Sequence, residues 1–191
     1  MPGFIKPQLA TLKSRAPKGD QWLHEIKYDG YRVQVHLNRG RKKVFTRNGV
    51  DWTKRFTEIA GALAIPGEAI IDGEVVVVHE GRTNFSELQA ELAAGRQGRL
   101  VYYAFDLLWR NGDLRGLPQI ERKQALLDLL GENDVGLSCT TSKACACCIS
   151  RRAAFSGSAN GRSAVNFMAL QVKPIVGASQ MFVWALLEQR L

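Results

Sequence analysis

The stretch "HEIKYDGYRVQVHL", residues 24–37, reads as two short strands separated by a turn at Asp29-Gly30. Tyr31, Val33, Val35 and Leu37 alternate with Arg32, Gln34, His36 and Asn38, the period of a strand with one apolar face. Before the turn, Glu25 and Lys27 stand two residues apart, so they project from the same face. The turn can bring Arg32 near them. An amine attacks phosphorus only when uncharged, and partial burial or neighbouring cations lower its pKa toward that state, so Lys27 in this company is a candidate nucleophile. The same spacing suits a surface hairpin held by a salt bridge. The choice between the two rests on what the remaining chain supplies.

On the C-terminal side, "NRGRK" (38–42) reads as a hairpin loop and "KVFTRNG" (43–49) as the returning strand. Phe56, Ile59, Ala60 and Leu63 fall at i, i+3, i+4 and i+7, the stripe of an amphipathic helix begun near Asp51 or Thr53. "EAIIDGEVVVVHEGR" (68–82) is a strand pair or one long strand, and "NFSELQAELAAG" (84–95) is a short helix with Asn84 and Glu87 spaced as a capping box. "LVYYAFDLLW" (100–109) is a buried strand, "RNGD" (110–113) a turn, and "QIERKQALLDLLG" (119–131) a helix closed by Gly131. Strands and helices interleave without regular alternation, which predicts an α+β fold of mainly antiparallel sheets with flanking helices.

The 191 residues are 46% hydrophobic and 23% charged, a composition suited to a soluble globular chain with one good core or two small ones. A formal net charge of +8 favours an anionic partner such as a polyphosphate. No stretch reads as a signal peptide or a membrane span, and Lys173 and Pro174 interrupt the apolar run near the C-terminus. Cytoplasm and a monomeric state are the expectations. The four cysteines, Cys139, Cys145, Cys147 and Cys148, lack both the paired C-x₂-C spacing of a zinc site and any later histidine, so neither a metal site nor a disulfide framework is expected.

Two regions follow from this. Residues 1–136 carry consistent strand, helix and turn signals, whereas residues 137–191 form an irregular tail rich in Ser, Ala, Cys and Arg, with six Lys or Arg against one acid, Glu188. Lys143, Arg151 and Arg152 in that tail read as a solvated basic run.

"KYDGYR" (27–32) resembles the K-x-D-G-x-R motif of the covalent nucleotidyltransferases, the superfamily of ATP-dependent DNA ligases, RNA ligases and mRNA capping enzymes. "FIKPQLATL" (4–12), "WLHEIKYDGYRVQ" (22–34), "TRNGVDWT" (46–53), "IDGEVVV" (71–77) and "FDLLW" (105–109), in that order, are similar to the ligase module of bacterial ligase D proteins. The resemblance implies that Lys27 attacks the α-phosphate of ATP and becomes a lysyl-AMP. It places Glu25 by the adenine edge and Arg32 on the ribose or, later, the nick phosphate. Arg47 would contact the nucleotide sugar or a DNA phosphate, Glu74 would help place ribose and metal, and Phe105 would stack on adenine. Asp72 and Glu74 share a strand face and offer oxygen ligands suited to Mg²⁺. On spacing alone they are also two acids flanking a turn glycine, and Phe105 is also an ordinary core aromatic.

The family continues with an "EGhhhK" stretch and a "KhK" stretch, where h is apolar, and then an OB-fold domain. Lys173 in "LQVKPIV" is the nearest echo of the last motif, without its partner lysine. The reading is therefore an ATP-dependent DNA ligase adenylation domain of the ligase D type, truncated or altered after its third nucleotide-binding motif, with ATP and Mg²⁺ as cofactors. Its tail is either an out-of-frame or recombined end, or a lineage-specific segment that binds DNA by charge. Nicked or broken duplex DNA, a Ku-type end-binding protein and separate polymerase modules are the partners the resemblance implies, in DNA repair and recombination by non-homologous end joining. The alternatives are an RNA ligase or capping-type transferase, and a non-catalytic nucleotide- or DNA-binding remnant.

Overall fold

The computed structural model describes residues 1–9, 11–12, 28–132 and 185–186. The elements run β1 (Thr11–Leu12), β2 (Tyr31–Asn38), β3 (Arg41–Thr46), a 3-10 turn (Thr53–Arg55), α1 (Thr57–Ala62), β4 (Glu68–His79), β5 (Arg82–Thr83), α2 (Phe85–Ala93), β6 (Leu100–Arg110), α3 (Gln119–Glu132) and β7 (Ala185–Leu186). Strands β3, β2 and β4 lie side by side, β6 runs along the other edge of β4, and β5 pairs with the end of β4. Every pairing in this sheet is antiparallel, which is the α+β arrangement the sequence predicts. β1 and β7 pair as a separate two-stranded ladder.

The apolar alternation decides which face of the sheet is covered. Val33, Val35 and Leu37 of β2 join Ala69, Ile71, Val75 and Val77 of β4, and Leu100, Tyr102, Ala104 and Leu107 of β6, in one buried cluster. Helix α1 contributes Ile59 and Ala60, α2 contributes Leu88, and α3 contributes Leu126, Leu129 and Leu130 to the same cluster. The helices therefore bury one face of the sheet, and the opposite face carries polar groups beside a smaller buried cluster of Tyr28, Val76, Val101 and Tyr103.

Local chemistry explains most boundaries. In the β4–β5 connection Glu80 (φ 49°) and Gly81 (φ 77°) both take left-handed conformations, the two-residue turn whose twist matches antiparallel strands. The Asn84 side chain accepts from the Glu87 amide (3.1 Å) while its own amide donates to the Glu87 carboxylate (3.0 Å), so the start of α2 is capped as its spacing predicts.

Two boundaries differ from expectation. The helix expected from Asp51 or Thr53 is broken into the 3-10 turn and the short α1, because the Asp51 carboxylate accepts from the Thr53 amide (3.0 Å) and closes a local turn, and Phe56 (φ −128°, ψ 43°) leaves helical geometry. Phe56, Ile59, Ala60 and Leu63 are nonetheless all buried. Gly131 does not close α3, which continues to Glu132; a glycine is tolerated in a helix whose Leu129 and Leu130 are fixed by the core. The region boundary at 136–137 and the tail, including the cysteines, Arg151, Arg152 and Lys173, lie outside the described residues, β7 excepted. Among the described residues, no helix is long and apolar enough to cross a membrane.

His36 is 4% exposed, on the polar face of β2, against the ring of Phe45 and within 3.4 Å of the Gln34 side-chain oxygen. Burial, helped by the nearby Lys43 charge, lowers its pKa to about 4. An unfolded histidine titrates near 6.5, so between the two values the unfolded chain binds the extra proton and stability falls with acidification. We expect the urea midpoint to drop as pH is lowered from 6.5 to 4, with a slope of at most about 1.4 kcal/mol per pH unit from this group. His36→Asn should flatten that segment of the pH profile.

Candidate active site

The face of the sheet opposite the helices collects Arg32 from β2, Asp72 and Glu74 from β4, and Phe105 and Asp106 from β6. Strand register fixes the neighbours: Arg32 faces Glu74, Gln34 faces Asp72, and Asp72 faces Asp106. The β4–β6 register shifts between Asp72 and Gly73, where Asp106 and Ala104 are consecutive partners and Phe105 is left over. That extra residue is a β-bulge, and it changes the phase of the strand. Core positions run Leu100, Tyr102, Ala104 and then Leu107, so the bulge turns Asp106, which an unbroken alternation would send into the core, toward the polar face.

The two aspartates that meet there are each forked by an arginine. Arg32 donates from Nε to Asp72 Oδ1 (3.3 Å) and from its terminal nitrogen to Oδ2 (2.8 Å). Arg122 of α3 does the same to Asp106, at 2.8 and 2.9 Å, and also donates to the Leu117 carbonyl (2.7 Å). Burial pushes the Asp72 carboxyl above its ordinary value; the Arg32 bonds pull against that shift and the neighbouring Asp106 charge adds to it. Burial also opposes the Arg32 charge, but its hydrogen bonds and attraction to Asp72 outweigh the penalty and hold the guanidinium above its ordinary value. Arg32, Asp72, Asp106 and Arg122 thus alternate in sign only at the ends of the row, with the two acids side by side in the middle.

A cavity of about 200 Å³ opens on this face, lined by Ile5, Pro7, Arg32, Asp72, Phe105 and Asp106 among others. The N-terminal segment forms one wall. It is pinned by the Gln34 side chain, which accepts from the Ile5 amide (3.3 Å) and donates to the Ile5 carbonyl (2.6 Å), and by Arg32, which donates to the Gln8 carbonyl (3.0 Å). The Arg32 guanidinium also sits over the Phe105 ring, 5.2 Å from its centroid. Lys123 Nζ donates to the Phe105 carbonyl at 2.7 Å.

Lys27 and Glu25 lie outside the described residues. The residues that follow Lys27 are anchored: Tyr28 is 6% exposed and stacks on Tyr103 at 4.2 Å with an interplanar angle of 7°. A side chain on Gly30 would land on the Val75 carbonyl, which is why the turn after the lysine needs glycine. Arg47 occupies the exposed turn after Thr46, whose register partner Val33 adjoins Arg32, so it stands at the same end of the sheet without joining the ion pairs. The expected pairing of Asp72 with Glu74 as Mg²⁺ ligands meets a competitor in Arg32, which takes both Asp72 oxygens. Among the described residues no cluster of three or more His, Cys, Asp or Glu could hold a metal. This donor set does not fit a resident two-carboxylate magnesium site.

Sequence reading passed over Asp106, Gln34, Arg122 and Lys123. A signal for the last two was present, because they precede Leu126 by four and three residues and so extend the buried stripe of α3 with two cations.

The family model for the ATP dependent DNA ligase domain matches residues 7–157, and the chain belongs to that family. It is similar to the multifunctional non-homologous end joining protein LigD of Pseudomonas aeruginosa, 39% identical over 150 residues that cover 75% of this chain and 18% of that protein. It is also similar to a probable DNA ligase of Koribacter versatilis, 38% identical over 113 residues, 54% of this chain and 20% of that one. Among solved structures it matches the ligase domain of Mycobacterium tuberculosis LigD with a TM-score of 0.55 and 31% identity, over 60% of this chain and 39% of that one. A mycobacterial DNA ligase D complexed with ATP and MES matches with a TM-score of 0.55 and 29% identity, over 72% and 44% of the two chains. The chain spans about a fifth of the length of these two curated relatives.

Removing one partner of a buried ion pair strands the other charge, so Arg32→Met should lower the unfolding free energy by about 3–5 kcal/mol. Asp72→Asn in the Arg32→Met background should recover part of the loss, because no unpaired carboxylate then remains buried. Chemical denaturation of the two variants and the parent chain checks both expectations.

Proposed function

We propose that this chain is the nucleotide-activating part of an ATP-dependent DNA ligase of the ligase D type, with MgATP as substrate and Lys27 as nucleophile. In the first step the uncharged Lys27 Nζ attacks the α-phosphorus of ATP. A P–N bond forms, the bond from the α-phosphorus to the bridging oxygen breaks, pyrophosphate leaves, and the amine's proton passes to solvent. The lysyl-AMP then gives AMP to a 5′-phosphate at a nick, and the 3′-hydroxyl displaces AMP to seal the strand. Such transfers depend on in-line placement and charge neutralisation. In this reading Mg²⁺ travels on the triphosphate, Arg32 and Glu74 hold the ribose, Glu25 lies by the adenine edge, and Arg47 meets a sugar or DNA phosphate.

The observation that carries the reading is the meeting of Arg32, Glu74 and Phe105 on one sheet face, beside a cavity and next to the turn that follows Lys27. Those are positions where the sequence resemblance expects the nucleotide. A cytoplasmic setting, nicked or broken duplex DNA, a Ku-type end-binding protein and separate polymerase modules belong to the same proposal, in which the names of the LigD relatives support the end-joining role alone. So does an atypical tail from residue 137, into which the family match runs as far as residue 157.

The test is covalent. The chain incubated with ATP and Mg²⁺ should acquire an AMP adduct that peptide mapping by mass spectrometry places on Lys27, formed slowly because the later lysine motifs have no clear counterpart in the sequence. An adduct on Lys6, Lys42 or Lys123 that survives Lys27→Ala sinks the assignment. Independently, Phe105→Leu keeps apolar bulk but loses the stacking face, and should weaken ATP binding by roughly 1–3 kcal/mol in equilibrium titrations. Unchanged affinity in a folded variant would make Phe105 a packing residue only.

A further inference from the structure

Helix α3 reaches the Phe105 bulge with two buried cations. Arg122 is 3% and Lys123 is 5% exposed, on the stripe that continues as Leu126, Leu129 and Leu130. A helix face against a core is ordinarily apolar, because each buried ion costs several kcal/mol unless it is paired and hydrogen-bonded. Both cations have such partners, and the partners are consecutive residues of the bulge. Lys123 donates to the Phe105 carbonyl, and Arg122 forks the Asp106 carboxylate. An extra residue disrupts the strand ladder where it sits and leaves its side-chain direction poorly determined by pairing alone. Here the missing constraint comes from the helix.

The geometry points to Arg122 and Lys123 as positioning residues: α3 clamps the bulge so that the Phe105 ring stays against Arg32 at the cavity wall, in one orientation, before any nucleotide arrives. What the ring receives rests on the nucleotide reading proposed above; the clamp itself is a property of the free protein. Preorganisation of this kind removes an ordering cost from binding, so its loss should act on the base and spare the phosphates.

The test uses the full chain carrying Lys123→Met, which keeps the aliphatic stem and removes the donor, and Lys123→Arg, which keeps a charged donor. In the free protein, hydrogen exchange at amides 104–107 should accelerate roughly tenfold in Lys123→Met, the scale of one lost hydrogen bond, while Val33–Leu37 stays protected. Lys123→Arg should restore protection. ATP affinity should fall roughly fivefold or more in Lys123→Met, with inorganic tripolyphosphate affinity unchanged. Unchanged exchange at 104–107, loss of protection spread evenly over the sheet, or equal weakening of ATP and tripolyphosphate would each overturn the clamp. A loosened bulge in a chain whose parent shows no affinity for ATP would uphold the clamp and remove the nucleotide reading. If Lys123→Met does not fold, Lys123→Gln, whose shorter amide falls short of the carbonyl, should loosen the same four amides, and unchanged exchange there contradicts the proposal.

Discussion

Two carboxylates placed side by side in the middle of a sheet repel one another and lose most of their hydration, so they persist only where fixed positive charge is built in beside them. Asp72 and Asp106 are register partners on neighbouring strands, and each is held by the two-pronged donor geometry of an arginine. Arg32 comes from the strand after the K-Y-D-G turn and Arg122 from a helix ninety residues further on. One row of four charges therefore ties β2, β4, β6 and α3 together across the polar face. The cavity, the N-terminal wall and the Phe105 ring are all arranged around that row.

The backbone makes room for it at Gly73, beside one of the two register shifts between β4 and β6. Gly73 follows Asp72 at the register shift, and a side chain there would come within 2.5 Å of the Tyr102 ring and the Tyr103 carbonyl. Its absence lets β6 lie close enough for the bulge to form, and the bulge in turn sends Asp106 to the same face as Phe105. The D-G-E stretch thus has three distinct jobs: an ion-pair acceptor, a point of close strand approach, and a carboxylate facing Arg32 across the ladder.

Most of the fold could be read from sequence because its signals are local. Period-two alternation in β2, the Asn84 cap and the continuous apolar run of β6 each specify their element within a few residues. Arg32, Glu74 and Phe105 were found through motif resemblance, and the sheet register brings them to one face. What escaped was non-local. The phase change at Phe105 has no sequence mark of its own, so Asp106 read as part of a buried strand. The ionic partners of Asp72 and Asp106 are set by register and by α3 packing, which no spacing rule encodes. Asp72 and Glu74 show the same gap: two acids on one face look alike until an arginine 40 residues away is seen to pair with one of them.

The central claim is that this charge-held face, with the Phe105 ring at its cavity wall, is where the adenine of ATP lies. Nuclear Overhauser contacts between ATP protons and an isotope-labelled Phe105 ring test it most directly. Cross-peaks from the adenine H2 or H8 proton to the Phe105 ring, lost in Phe105→Leu, are the predicted result. Bound ATP whose adenine protons contact other aromatic residues and leave Phe105 silent would contradict the account.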